Sequence, residues 1–177
     1  MNIFKKIPSL DDIAAVYAVI VVMIYAPTIN LFFWKLPSWV LFSTLGDLLN
    51  IFFYAITVNF IESLMVIAAV VFLCMVLPSK WFYDHFCAKG VMLVLLTLGF
   101  LIYLGSRMQP EMPFPWDLVR GSPVIFLCIL VAVFLLDKID RLGGFLQALA
   151  NRFVVFLFLS IPVSVVALLV VFMRNIF

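Results

Sequence analysis

Long runs of apolar residues recur along the whole chain, separated by short segments that hold most of the charges. Each run has the roughly 20 residues that a helix needs to cross a bilayer. The pattern predicts five spans, over about 10–33, 45–77, 86–104, 118–136 and 153–173. Ser9 with Asp12, and Thr44 with Asp47, form cap signatures just ahead of the first two runs, with the acids at the positive helix ends. The second run meets no proline before Pro78, and its 33 residues would make about 50 Å of helix against a hydrocarbon core of about 30 Å. It is expected as one continuous helix that tilts or protrudes. The fifth run lies between Arg152 and Arg174 and is interrupted only by Ser160, Pro162 and Ser164. Pro162 removes a backbone bond to Phe158, so a kink is expected there, with Ser160 or Ser164 re-satisfying the backbone.

All four tryptophans, Trp34, Trp39, Trp81 and Trp116, fall in the connections or at their edges, where an amphipathic ring prefers the headgroup level. Lys5, Lys6, Lys80, Lys89, Lys138, Arg141 and Arg152 lie on the N-terminal side, against Lys35, Arg107, Arg120 and Arg174 on the other. That asymmetry predicts a cytoplasmic N-terminus and an outside C-terminus. Lys5 and Lys6 ahead of an apolar run resemble a secretory signal, but Asp11 and Asp12 interrupt it and Pro27 follows the one small cleavage candidate, Ala26. A retained anchor is expected. In the inner connection, Ile139, Leu142, Phe145, Leu146 and Leu149 recur at helical spacing beside Lys138, Arg141 and Arg152, which predicts an interfacial helix over 138–150 despite Gly143-Gly144. The outer connection carries Pro110, Pro113 and Pro115 and reads as a semi-rigid loop. Connections this short hold no extramembrane domain, so residues 1–177 are expected to form a single transmembrane domain. The expected fold is an all-α integral membrane protein, a five-span helix bundle of the cell (plasma) membrane.

Composition sharpens this picture. Hydrophobic residues make up 67% of the chain and charged residues 11%, which excludes an ordinary soluble domain. A net charge of +2 offers nothing to a polyanion, so no nucleic acid is expected as a partner. Cys74, Cys87 and Cys128 form no C-x-x-C pair and His85 is the single histidine, so neither a disulfide framework, a metal site nor a cofactor is expected. Asp84, His85 and Cys87 are the one cluster with catalytic residue types, but positions two apart diverge on a helix. No phosphate loop, nucleophile elbow or H-E-x-x-H is present, and no catalytic residue is assigned.

Glu62 is the acid inside an apolar stretch, where a charge costs roughly 3 kcal/mol and is expected to face protein or water. Counting about 20 residues back from Leu77 places it some four residues inside the outer boundary. Asn59 and Ser63 flank it, and the same counting brings Asn30, Thr28 and Arg120 to similar depth. Two readings of this outer-leaflet cluster stay open: a polar pocket for a headgroup, ion or small solute, or an ion pair and hydrogen bonds that fix helix packing, with Glu62 paired to Arg120 ahead of Arg107 or Arg174. Large apolar helix faces with little extramembrane mass favour a non-catalytic accessory or structural subunit of a membrane complex. A small oligomeric transporter or channel built on Glu62, and a lipid-active enzyme, are the alternatives. The partners expected are membrane lipid and other membrane subunits, or further copies of the chain.

Overall fold

A computed structural model describes residues 8–77, 85–107, 116–135 and 140–176, and these are almost entirely helical. The helices are α1 (Leu10–Trp39), α2 (Leu45–Val76), α3 (Phe86–Arg107), α4 (Trp116–Leu135) and α5 (Asp140–Ile176), with no strand among the described residues. α1, α2, α3 and α5 are each long and apolar enough to cross a membrane, and α4 carries a shorter apolar stretch, Val119–Leu135. A helix satisfies its own backbone, which is what chains this apolar require in lipid. Lys5, Lys6, Pro78, Lys80, Trp81, Asp84, Asp137, Lys138 and the loop prolines Pro110, Pro113 and Pro115 lie outside the described residues.

Both cap signatures are made. The Ser9 hydroxyl accepts from the Asp12 N–H at 3.2 Å, and Thr44 and Asp47 exchange side chain-to-backbone bonds of 3.3 and 3.2 Å. α2 then runs unbroken for 32 residues. Helix ends differ from the sequence expectation where tertiary contacts extend them. α1 continues through Pro37 to Trp39, because the ring of Phe32 packs on Trp39 at 5.9 Å and on Phe52 of α2 at 5.1 Å. Trp34 and Trp39 therefore belong to the last turns of a helix, and Trp116 opens α4. α3 reaches Arg107, whose guanidinium lies over the Tyr103 ring at 5.4 Å, a cation at the negative end of the helix. The 140–150 part of the expected interfacial helix forms the first turns of α5, continuous with the apolar run that follows it. Leu146 and Ala150 are buried there, and a Cβ added to Gly143 would meet Ala88 of α3 at 4.0 Å, so close packing on α3 continues the helix.

α1 is the hub, packed against α2, α3 and α5; α2 and α3 each also meet α5, and α4 packs chiefly on α3. The stretch from Ala15 to Val21 is the most enclosed part of α1, where a helix apolar on all sides can be surrounded. With α4 held on one side only, α2, α3 and α4 flank an open groove lined by residues such as Leu73, Leu93 and Leu130.

Candidate functional site

The polar residues that the sequence groups together are separated by the fold into an interior set and an exterior set. Asn59 and Ser63, four residues apart on α2, are both buried against α1. The Ser63 hydroxyl donates to the Phe60 carbonyl at 2.8 Å, so its one proton is used and the Tyr17 hydroxyl, 3.2 Å away, is the donor to Ser63. The Thr28 hydroxyl donates to Asn59 Oδ1 at 3.2 Å and lies 3.3 Å from the Ile24 carbonyl. One layer over, Ser164 of α5 donates to the Ser160 carbonyl at 2.6 Å and receives the Tyr25 hydroxyl at 2.7 Å. These bonds tie α1 to α2 and α1 to α5, and a third link joins Tyr54 of α2 to Asn175 of α5 at 3.1 Å. Sequence reasoning missed Tyr17 and Tyr25, because tyrosines inside apolar runs count as apolar until a partner is seen.

Pro162 is accommodated without ending α5. The Ser164 bond goes to the Ser160 carbonyl rather than to Phe158, the carbonyl that the proline frees, and Ser160 Oγ is itself buried without a partner. Thr57 Oγ1 and Asn59 Nδ2 are likewise buried and unpaired. Each such atom costs free energy, and in a membrane no water is at hand to relieve it.

Glu62, Asn30 and Arg120 form the exterior set, all three exposed. Glu62 makes no ion pair or hydrogen bond among the described residues, so the expected pairing with Arg120 does not occur within the chain. Two geometric facts prevent it. α4 runs back along α3 with Phe126 on Phe100 at 5.8 Å, which sets Arg120, six residues earlier and about 9 Å along the helix, toward the Arg107 end of α3. Glu62 instead lines an open cleft of about 450 Å³ with Met23, Ile24 and Pro27 near the middle of α1 and with Leu98, Leu101 and Ile102 of α3. These neighbours set it near the middle of α1 and of α2. Arg107 is engaged by Tyr103, donating to its hydroxyl at 3.2 Å, and Arg174 lies in the last turn of α5.

Cys87 is buried at the start of α3 and His85 is exposed beside it, while Asp84 lies outside the described residues. Among the described residues no group of three His, Cys, Asp or Glu side chains converges on a point that a metal could occupy. Lys89 is the side chain whose role the sequence hid most: it reads as an inner surface cation, yet it is fully buried. Its small neighbours Ala88 and Gly90 are the signal, since small residues mark close helix approach. Comparison with protein-family models, curated proteins and solved structures found no match. The chain is a polytopic helical membrane protein whose internal polar groups are largely spent on joining helices.

The tyrosine links can be weighed by substitution. Tyr25→Phe keeps the ring and removes the donor to Ser164, and is expected to lower stability by about 0.6–1.7 kcal/mol, the range for hydrogen bonds between membrane helices. Asn30→Ala, at an exposed position, is expected to leave the thermal midpoint in detergent unchanged. Equal midpoints for Tyr25→Phe and the unsubstituted chain would show that the 2.7 Å bond contributes nothing.

Proposed function

We propose that the chain is a non-catalytic accessory or structural subunit of a plasma-membrane complex, oriented with its N-terminal end in the cytoplasm, and packing on neighbours through its helix faces. One observation carries this reading: Tyr17, Tyr25, Thr28, Asn59, Ser63 and Ser164 are bonded between helices, whereas Glu62, near the middle of α2, lies exposed in an open cleft. A carboxylate in that position is costly for a chain alone in lipid and suits one that meets a neighbour there. A small oligomeric transporter is the second reading, supported by the cleft of about 450 Å³ beside Glu62. Native mass spectrometry from mild detergent separates them. A stoichiometric complex with a different chain is the expected result, and a homogeneous multiple of this chain alone would overturn the subunit reading in favour of the second.

A further inference from the structure

The cleft beside Glu62 does not end at Glu62. It shares Val66, Leu98 and Leu101 with an apolar cleft of about 340 Å³ between α2, α3 and α4, and that one shares Leu73, Leu93 and Leu130 with a third of about 290 Å³. Together they make one groove along α2 and α3, bounded by α1 at the Glu62 end and by α4 along the rest. On the α2 wall, Glu62, Val66, Ala69, Leu73 and Leu77 follow one another at steps of three and four residues, so the carboxylate stands on the same helical stripe as the groove lining. From Glu62 to Leu77 the groove is about 22 Å long, four turns of helix.

The geometry points to a transmembrane helix of a partner subunit as the occupant of this groove, bearing a lysine or arginine near its own midpoint that pairs with Glu62. This rests on the subunit reading above and names the chemistry of the partner. Charge complementarity selects the occupant. Lipid tails fill apolar grooves but bring nothing to a carboxylate near the middle of α2, and headgroup amines stay at the membrane surface, roughly 15 Å from the centre of a core about 30 Å thick. A second copy of the chain fits less well. Among the described residues Lys35, Arg107, Arg120, Arg141, Arg152 and Arg174 lie away from the middle of their helices, and Lys89 is buried. A mid-span cation on a partner helix carries the same insertion penalty as Glu62, and seating that helix in the groove relieves both at once.

The test uses the full chain in phosphatidylcholine vesicles with three fluorescent Leu/Ala transmembrane peptides, one with a central lysine, one with a central leucine in its place and one with the lysine near an end. Energy transfer from a label beside the groove reads association. The central-lysine peptide is expected to bind about ten-fold more tightly than the other two, with the advantage lost in Glu62→Gln, a change that keeps size and helix propensity. Circular dichroism and the thermal midpoint confirm that Glu62→Gln is folded. No preference for the central lysine, a preference that survives Glu62→Gln, or Glu62-dependent transfer between copies of the chain itself would each overturn the proposal. The two readings fail differently. A native complex that keeps its partner in Glu62→Gln overturns the ion pair and leaves the subunit reading standing, whereas an unsubstituted chain found without any different partner overturns the subunit reading.

Discussion

Gly90→Leu is expected to open the seam between α1 and α3 and to lower stability by about 3 kcal/mol or more, at the upper end of what overpacking costs. A Cβ at Gly90 would stand 3.1 Å from one methyl of Val16, 3.5 Å from the other and 3.7 Å from Val70. None of these can retreat easily. Val16 is completely buried at the bundle's hub, and a β-branched side chain in a helix holds essentially one rotamer. Alanine at position 90 asks Val16 to give a few tenths of an ångström and gains up to about 1 kcal/mol of helix propensity, so it should be close to neutral. Leucine adds three more carbons where no space exists. Gly99 is the internal control: the same helix, with nothing within 4 Å of an added Cβ, so Gly99→Leu should leave the thermal midpoint in detergent unchanged or raised. Val16→Ala in the Gly90→Leu background should recover part of the loss. If Gly90→Leu and Gly99→Leu denature together, close approach at Gly90 is not what holds α1 to α3.

Much of the fold was legible because its signals are local. The starts of α1 and α2 are set by caps that span four residues, Ser9 to Asp12 and Thr44 to Asp47, and these form as expected. The ends of helices depend on distant partners. Nothing between positions 33 and 39 indicates that Phe32 will find Phe52 and carry α1 two turns further, and nothing in Gly143-Gly144 indicates that α3 lies close enough to keep α5 helical there. Lys89 shows the same limit for topology. Its position along the chain places it among the cations near an inner connection, yet the packing of α3 encloses it completely.

The site was legible in residue type but not in direction. α2 is apolar nearly all round, so its sequence contains no stripe that says which arc faces protein. Asn59, Glu62 and Ser63 occupy neighbouring arcs of one turn, yet α1 covers Asn59 and Ser63 and leaves Glu62 outside. Depth was also beyond reach. Counting from Leu77 along one helix cannot tell which residues of other helices stand level with Glu62, and these include Ile24 and Leu98.

Lys89→Ala is expected to cost about 2–5 kcal/mol, the range for emptying a large buried side chain. Among the described residues Lys89 is the largest of the fully enclosed side chains, one turn into α3. Two contributions combine in that loss. The four-carbon stem fills enclosed volume, and its ammonium, which is not free of interactions, leaves its surroundings uncompensated when it is removed. Lys89→Met separates the two, because methionine restores most of the volume without the charge. The expected order of stability is the unsubstituted chain, then Lys89→Met, then Lys89→Ala, read as midpoints of denaturant unfolding in mild detergent. A methionine variant as stable as the unsubstituted chain would mean that the stem alone matters and the charge is only tolerated, as it is at some buried ion pairs that apolar residues replace without loss. An alanine variant within about 0.5 kcal/mol, the range of an ordinary surface change, would mean that Lys89 reaches solvent and that the bundle is not closed around it.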